Sequence, residues 1–389
     1  MLSPAPLELS IVIPCLNEAD TIGAVVEKAF AAIKAEGLAA EVIVADNGST
    51  DDSASISTAL GARVVNVPRP GYGEALMGGI NAARGTYIIM GDADDSYDFL
   101  SIRPFIEKLR AGNDIVMGCR LPSGGGRVMP GAMPPLHQYF GNPFFSALAR
   151  WWFGVPIHDI NCGMRGFTKE IFDRVEPRCT GMEFAVELVL KSSLQGASIA
   201  ETPITLHKDG RKAHVPHLRT FRDGWRTLRF FLLFCPRWLF LVPGVLAILL
   251  GGIAYAVALP RVSVRGVTFD ENTLLFGSVA ILCGWQSILF AIFAKTFAIG
   301  ARLLPEDKRF SRFTEAVSLE RGIAAGAICL LAGLGLLGGA VNQWRLADFG
   351  PLDYKHTLRW VIPGATLTAL GLQTVLSSFM CSILRLARR

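Results

Sequence analysis

The sequence predicts an α/β domain, a mostly parallel sheet with helices on both faces, followed by a region of four transmembrane helices. The first part is predicted by short β-branched runs that alternate with helical patterns up to about residue 230. The second part is predicted by apolar segments, alternating with short polar loops, that begin near residue 238. We therefore divide the chain into a head of residues 1–215, an amphipathic interfacial helix of residues 216–237, and a membrane domain of residues 238–389.

The head is expected to contain five strands with helices between them. The predicted strands are residues 9–14, 41–45, 63–67, 86–90 and 114–117. The predicted helices are residues 19–35, 51–60, 74–83 and 100–110. Strand–helix alternation at this spacing indicates parallel pairing, and ligands of such sheets bind at the carboxyl ends of the strands.

Polar residues follow three of these strands, at residues 14–18, 46–51 and 91–95. We expect the three groups to meet at one edge of the sheet. Asp92 and Asp94 form the most informative pair, because two carboxylates after an apolar strand are costly to hold together without a cation. Oxygen ligands of this kind suit Mg²⁺ or Mn²⁺. A divalent ion there could bridge a diphosphate and stabilise it as a leaving group. We therefore expect Asp92 and Asp94 to be metal ligands.

A dinucleotide-binding domain is the natural alternative for such a sheet. Its GxGxxG motif should follow the first strand, where this chain has Pro14-Cys15-Leu16-Asn17-Glu18. Gly71-Tyr72-Gly73 comes after the third strand and lacks the third glycine. It is better explained as a turn and a helix start packed near the site.

Four apolar segments approach or exceed the roughly 20 residues that a spanning helix needs, at residues 238–259, 273–300, 322–341 and 360–384. Long buried helices of a soluble protein are the alternative, and the scarcity of charges disfavours them. Lysine and arginine are concentrated before the first span, between the second and third, and after the fourth. This bias predicts an integral membrane protein with its head on the cytoplasmic side, at the plasma or inner membrane if bacterial.

Arginines 219, 222, 226 and 229 recur at helical spacing, with aromatic and aliphatic residues between them. This pattern predicts an amphipathic helix at the membrane interface, with a solvated surface helix as the alternative. The net charge is +5, and its basic excess lies between Arg211 and Arg237. Next to an apolar run, such an excess favours anionic lipid over nucleic acid as the partner. The eight cysteines form no CxxC pair, which disfavours a disulfide framework or a zinc site.

The polar clusters resemble those of family 2 glycosyltransferases with the GT-A fold. Within that family the chain is most similar to the polyprenyl-phosphate group, the dolichyl-phosphate mannose or glucose synthases and their bacterial undecaprenyl-phosphate relatives. The resemblance is carried by residues 13–18, 46–51, 83–85 and 92–98. It implies inverting, metal-dependent transfer of one sugar from a UDP- or GDP-linked donor to a polyprenyl phosphate. A homo-oligomer is compatible with this arrangement.

The resemblance also implies roles for individual residues. Pro14, Leu16, Glu18 and Asp46 would hold the nucleoside, and Asp92, Ala93 and Asp94 the metal and diphosphate. Arg120 would meet the acceptor phosphate, Asp159 and Arg165 would lie in the acceptor-side segment, and Arg211 and Lys212 would lie in a loop that closes over the donor. Asp94, Arg120 and Glu183 are the catalytic candidates, Glu183 because GT-A enzymes often carry a carboxylate there.

Two of these assignments have structural alternatives, and one position departs from the family. The segment from Asp159 to Arg165 could be a turn with a structural arginine, and Arg211 with Lys212 could be a basic patch that faces lipid. Related synthases often have a glutamine metal ligand where this chain has Ser96, which leaves the third metal ligand open.

Two other functions compete with single-sugar transfer. A processive polysaccharide synthase usually carries a QxxRW motif, but here Phe234 and His356 stand in the glutamine position of the two Arg-Trp pairs. A transporter or lipid flippase with a nucleotide-sensing head would need charges within its spans. Only Lys295 lies clearly within a span, and snorkelling to the interface explains it more simply.

Overall fold

The computed structural model describes residues 7–211, 220–301, 304 and 306–386, so Lys212 lies outside the described residues. The chain divides into two compact units, Met1–Phe231 and Leu232–Arg389. We refer to them as the head and the membrane unit.

The head is built on one mixed sheet. Its strands are β1 (Leu9–Cys15), β2 (Ala40–Asp46), β3 (Arg63–Asn66), β4 (Tyr87–Met90), β5 (Ile115–Cys119), β6 (Arg127–Val128), β7 (Arg165–Thr168), β8 (Ile199–Pro203) and β9 (Thr205–Leu206). Seven of them form the sheet in the order β3-β2-β1-β4-β7-β5-β8. The short strands β6 and β9 pair with each other. All five predicted strands are present.

The helices that connect these strands are α1 (Ile22–Ala35), α2 (Ser53–Ala59), α3 (Tyr72–Ala82), α4 (Arg103–Arg110), α5 (Asn142–Phe153), α6 (Lys169–Val175) and α7 (Glu183–Leu194). A further helix, α8 (Thr220–Phe234), runs across the boundary between the two units. Helix α8 lies within the segment 216–237 in which the sequence predicts an interfacial helix.

The apolar runs explain the centre of the sheet. Every residue of β1 is buried, and β1 pairs in parallel with β2 on one side and β4 on the other. A strand buried on both faces is expected to be a near-continuous apolar run, which β1 is apart from Ser10, whose hydroxyl donates to Glu41. The parallel register places Cys15 opposite Asp46, so the polar residues that follow β1 and β2 meet at one edge.

Strands β6, β7, β8 and β9 were not expected from the sequence, and β7 is the one that bears on the site. Strand β7 runs antiparallel between β4 and β5, with Arg165 opposite Met90 on one side and Met117 on the other. Its four residues include an arginine and a glycine, so they lack the apolar pattern of a central strand. This strand brings Arg165 beside the end of β4, next to the paired aspartates.

The membrane unit consists mainly of long apolar helices. Its elements are α9 (Val242–Ala258), β10 (Ser263–Val264), β11 (Val267–Thr268), α10 (Glu271–Gly300), α11 (Lys308–Ala316), α12 (Leu319–Leu346) and α13 (Tyr354–Leu386). Among the described residues four helices are long and apolar enough to cross a membrane: Arg237–Ala258, Glu271–Gly300, Leu319–Leu346 and Tyr354–Leu386. The four predicted spans are thereby confirmed by length and composition.

Glycines allow these helices to pack closely in pairs. A Cβ atom on Gly251 of α9 would lie 2.6 Å from the carbonyl oxygen of Gly277 on α10. A Cβ on Gly333 of α12 would lie 2.7 Å from the carbonyl oxygen of Gly364 on α13. Close approach of backbones at small residues is the usual way in which membrane helices associate.

The charged residue within the second span has a partner. Lys295 Nζ lies 2.6 Å from Asp307 Oδ2 and over the ring of Phe310. The ion pair holds the pKa of the Asp307 carboxyl down at about 2. Lys295 is therefore neutralised within the membrane unit, in addition to any snorkelling of its side chain.

Candidate active site

The paired aspartates lie directly after β4, each with one oxygen held by a hydroxyl. Asp92 Oδ1 accepts a hydrogen bond of 2.8 Å from the Tyr72 hydroxyl. Asp94 Oδ1 accepts from the Ser96 hydroxyl at 2.6 Å and from the Ser96 amide at 3.0 Å. Ser96 thus orients Asp94 through both its hydroxyl and its amide. Ala93 between the two aspartates is buried.

The electrostatics of this pair suit a divalent cation. Burial and the nearby charge of Asp94 raise the pKa of Asp92 to about 6. A cation between the two carboxylates would remove that penalty, and hard oxygen ligands match Mg²⁺ or Mn²⁺. Within the described residues no cluster of three or more His, Cys, Asp or Glu is assembled as a metal site. Phosphate and water oxygens would therefore have to complete the coordination, as is common for Mg²⁺.

The predicted nucleoside residues lie at the adjoining strand ends. Asp46 ends β2 and accepts a hydrogen bond from the Ser49 amide at 3.2 Å. Glu18 is buried, with its amide donating to Ser53 Oγ at 2.8 Å. Pro14 belongs to the buried strand β1, whereas the Leu16 side chain is exposed. The structure therefore brings Glu18 and Asp46 to the same edge as Asp92 and Asp94.

Arg211 connects the two parts of this edge. Its guanidinium pairs with both carboxylate oxygens of Glu18, with Nε 2.8 Å from Oε2. It also pairs with Asp209 at 3.0 Å, and its Nη1 lies 3.9 Å from Asp94 Oδ2. These acidic neighbours raise the pKa of Arg211, so the side chain remains a cation. A positive group thus already stands beside the predicted metal ligand.

Arg120 is engaged with a buried carboxylate. Its Nε and Nη2 donate to the two oxygens of Asp159 at 2.7 and 2.9 Å, and its Nη1 lies 3.3 Å from the Tyr97 hydroxyl. Asp159 is fully buried, and the amides of His158 and Asp159 donate to Glu201 Oε1. Neither Glu201 nor Tyr97 was singled out from the sequence, since their contacts join residues far apart in the chain.

Arg165 is fully buried and has a structural environment. Its two terminal nitrogens donate to the carbonyl oxygens of Ala185 and Cys162, and its Nε atom has no partner. This placement matches the alternative of a structural arginine. Direct contact of Asp159 or Arg165 with an acceptor stays a prediction, and complete burial of both side chains does not support it.

Glu183 is the first residue of α7 and is partly buried. The carbonyl oxygen of Ala185, two residues after Glu183, accepts a hydrogen bond from Arg165. This contact joins the start of α7 to strand β7. This position is compatible with a role for Glu183 in orienting the reacting groups. Its catalytic role stays a prediction.

A mixed sheet with acidic clusters at the carboxyl ends of its strands, joined to four apolar spanning helices, defines a membrane-bound α/β enzyme of the GT-A type. Residues 10–176 match the family model described as Glycosyl transferase family 2. Residues 292–385 match the model described as Glycosyltransferase family 2 C-terminal transmembrane region. The chain belongs to glycosyltransferase family 2, and it is an integral membrane glycosyltransferase.

Curated relatives show the same likeness. The chain is 35% identical over 373 residues to the low-salt glycan biosynthesis hexosyltransferase Agl6 of Haloferax volcanii, covering 96% of this chain and 88% of that protein. It is 31% identical over 198 residues to a dolichyl-phosphate hexose transferase of the same organism, covering 51% of this chain and 82% of the relative. A crystal structure of glucosyl-3-phosphoglycerate synthase from Mycobacterium tuberculosis aligns with a TM-score of 0.45 at 24% identity, over 59% of this chain and 78% of that chain.

Proposed function

We propose that the protein transfers a single hexose from a UDP- or GDP-linked sugar to a polyprenyl phosphate, with inversion and with Mg²⁺ or Mn²⁺ as cofactor. The observation that carries the proposal is the carboxylate pair Asp92 and Asp94 at the sheet edge, beside the Glu18–Arg211 pair, in a chain with four spanning helices. Its similarity to two Haloferax proteins, a hexosyltransferase and a dolichyl-phosphate hexose transferase, supports it.

The residues of this edge can position both reactants. Asp92 and Asp94 would hold the ion, which supplies positive charge to the diphosphate as it leaves. Asp46 and Glu18, with Pro14 and Leu16, would bind the nucleoside. The acceptor phosphate is largely dianionic near pH 7, because the second pKa of a phosphomonoester is about 6. It therefore needs little help from a base, and catalysis rests on positioning and charge stabilisation.

Two arginines are candidates for the phosphates. Arg211 Nη1 lies only 3.9 Å from Asp94 Oδ2, so a bound diphosphate would find this guanidinium at the edge of its site. Arg120 is held by Asp159 in one orientation, which would present its remaining N–H groups to an acceptor phosphate in a fixed geometry. Lys212, Glu183 and Ala93 keep the auxiliary roles that the family resemblance implies.

An exposed apolar stripe on the head supports an acceptor that lies in a membrane. Leu136, Phe140, Phe144 and Trp151 are spaced at four, four and seven residues, and all are exposed. Residues at this spacing share one face of a helical segment. The ring of Phe231 on α8 packs against the same segment, and the first span begins six residues further along the chain. Aromatic residues of this kind are typical of membrane interfaces.

The distribution of lysine and arginine supports a cytoplasmic head, because these residues are concentrated before the first span, between the second and third, and after the fourth. On the opposite side, Arg261 lies 3.1 Å from Glu271 Oε1, and Arg359 donates to the carbonyl oxygens of Ala258 and Leu259 at the end of α9. These contacts hold both side chains in place and do not alter the number of basic residues on each side, which is the quantity that sets orientation.

Incorporation of label into lipid tests the proposal directly. The purified full chain in detergent is incubated with Mn²⁺ or Mg²⁺, a short polyprenyl phosphate and a panel of radiolabelled UDP- and GDP-sugars, and the lipid phase is then counted. We expect label to enter the lipid with one donor, to be lost with EDTA, and to migrate as one sugar per lipid. A ladder of longer products would indicate a processive synthase. Binding of a donor without any labelled lipid would contradict the proposed acceptor.

A further inference from the structure

A tyrosine hydroxyl from a neighbouring helix reaches one of the two paired carboxylates. Tyr72 is the first residue of α3, twenty residues before Asp92, and its hydroxyl donates to Asp92 Oδ1 at 2.8 Å. In this hydrogen bond the phenol O–H is the donor and the carboxylate oxygen is the acceptor.

The same arrangement occurs on the other carboxylate. Asp94 Oδ1 is held by the hydroxyl and the amide of Ser96, which come from its own loop. Asp92 receives its hydroxyl from a different element, so its orientation depends on where α3 begins. Tyr72 thus donates a hydroxyl hydrogen bond to Asp92, as Ser96 does to Asp94.

The start of α3 is fixed against a second segment. The amides of Gly73 and Glu74 both donate to the Thr180 carbonyl oxygen, at 2.8 and 3.2 Å. Gly71 has φ +145°, and a Cβ atom on it would lie 2.4 Å from that oxygen. The Gly71 amide also donates to Asn47 Oδ1 at 2.8 Å. Only glycine permits this docking, and the docking determines the position of the Tyr72 backbone.

The segment that receives α3 is anchored in the core. Glu187 Oε2 accepts hydrogen bonds from the amides of Arg178 and Cys179 at 2.8 and 2.7 Å. Its other oxygen pairs with Lys191 at 2.6 Å, and both side chains are buried. A continuous series of contacts therefore runs from this buried ion pair, through residues 178–180, to the start of α3 and the Tyr72 hydroxyl.

We propose that Tyr72 is a positioning residue for the metal site, because its hydroxyl fixes the orientation of the Asp92 carboxylate toward the divalent cation. This inference rests on the proposed function, since it concerns the cation that Asp92 and Asp94 would bind. Groups that orient metal ligands in this way typically change metal affinity by about 10–100-fold when they are removed. A tyrosine that served only to fill space would leave metal affinity unchanged when its hydroxyl alone is deleted.

Tyr72→Phe tests this distinction, since it removes the hydroxyl and keeps the ring. In the full chain in detergent we would measure Mn²⁺ affinity by electron paramagnetic resonance, and UDP and GDP affinity by calorimetry with and without Mn²⁺. We expect Mn²⁺ affinity to fall about 10–100-fold, metal-dependent nucleotide affinity to fall with it, and metal-free nucleotide affinity and thermal midpoint to stay near wild type. Tyr354→Phe is the matched control, because this tyrosine is 77% exposed in the membrane unit.

The outcomes separate this inference from the proposed function. Wild-type protein that binds no nucleotide in a metal-dependent way would overturn the proposed function itself. Wild-type protein that does so, together with a Tyr72→Phe variant of equal Mn²⁺ affinity, would overturn the role of Tyr72 alone. A variant that loses thermal stability and metal-free nucleotide binding to the same extent as metal binding would show a merely structural role, and would also overturn the inference.

Discussion

Two regions of the head use the same residue types in opposite ways: the proposed donor edge, formed by Asp92 and Asp94 after β4, and the proposed acceptor-side segment, residues 159–165. At the donor edge, Asp92 and Asp94 are partly accessible, and each has only one oxygen held by a hydroxyl. In the acceptor-side segment, Asp159 and Arg165 are fully buried. Both oxygens of Asp159 are bound by Arg120.

This difference separates a binding surface from a scaffold. A carboxylate pair in which each group has one oxygen without a hydroxyl partner can be stabilised by binding a cation. A buried carboxylate whose two oxygens are both paired already has its counter-charge. Removing one member of a buried ion pair leaves the other charge without compensation, which is strongly destabilising. The comparison therefore predicts that changes at the donor edge abolish activity with little loss of stability. Changes in the acceptor-side segment should lower the stability of the head, whatever their effect on activity.

The largest effect is expected for Asp94→Asn. Loss of this ligand should lower sugar transfer on the order of 10³-fold or more, because stabilisation of the leaving diphosphate depends on it. The thermal midpoint should stay near that of wild type, since the side chain is at the edge of the site. The assay is incorporation of label into polyprenyl phosphate at saturating donor, with thermal unfolding measured in parallel.

Asp95→Asn is the matched control for this variant. Asp95 is adjacent to Asp94 in the chain, but its carboxylate pairs with Lys28 at 2.7 Å, in a partly exposed ion pair worth about 1 kcal/mol or less. Its φ of +61° suits asparagine as well as aspartate. Full transfer activity in Asp94→Asn, or an equal loss in both variants, would contradict the assignment of Asp94 as a metal ligand.

The second effect concerns stability. Asp159→Asn should lower the free energy of unfolding of the head by about 3–5 kcal/mol, because it leaves the Arg120 guanidinium buried without a full counter-charge. Chemical denaturation of the full chain in detergent measures this loss. The double variant Arg120→Met with Asp159→Leu should recover much of it, since neither charge is then buried. Unchanged stability in Asp159→Asn would show that this segment is not a scaffold.

The same double variant also tests the proposed acceptor contact. If it folds and still transfers sugar at a rate near wild type, Arg120 acts only by holding the segment together. If it folds and transfer is lost while donor binding persists, Arg120 contacts the acceptor phosphate as the family resemblance implies.

The sequence predicts the donor edge better than the acceptor side, for a physical reason. Parallel strands with continuous apolar runs fix where their carboxyl ends lie, so Asp46, Asp92 and Asp94 could be placed together from local pattern alone. Strand β7 is short and carries Arg165, and its partners β4 and β5 are distant in the chain. Its place between them is decided by tertiary packing that no local pattern shows.

Long-range hydrogen bonds were also beyond local reasoning. The Gly71-Tyr72-Gly73 turn could be assigned to a helix start near the site, but not the reach of the Tyr72 hydroxyl to Asp92. In the membrane unit, composition was sufficient for the spans, whereas the contact between Gly333 and Gly364 depends on which helices pair. Glycines seven residues apart within one helix, Gly326 and Gly333 on α12 and Gly364 and Gly371 on α13, are the sequence signal that could have indicated it.

The smallest effect is a pH dependence that belongs to the donor edge alone. Burial and Asp94 raise the pKa of Asp92 to about 6, above the ordinary carboxyl value of about 3.9 that the unfolded chain would show. A raised carboxyl pKa stabilises the fold at low pH, and this contribution is lost as the pH rises through the folded value. Metal-free protein should therefore lose this contribution between about pH 4 and pH 6.

Asp92→Asn isolates the effect, because asparagine is neutral at every pH. In EDTA and near pH 4, the thermal midpoint of this variant should be close to that of wild type. Between about pH 4 and pH 6 it should exceed the wild-type midpoint by an increasing difference, and above about pH 6 this difference should be constant. Saturating Mn²⁺ should shrink this difference, since the cation stabilises the ionised carboxylate that asparagine lacks. If the difference in thermal midpoint between Asp92→Asn and wild type does not change with pH, the pKa of Asp92 is not raised in the metal-free protein and the prediction is wrong.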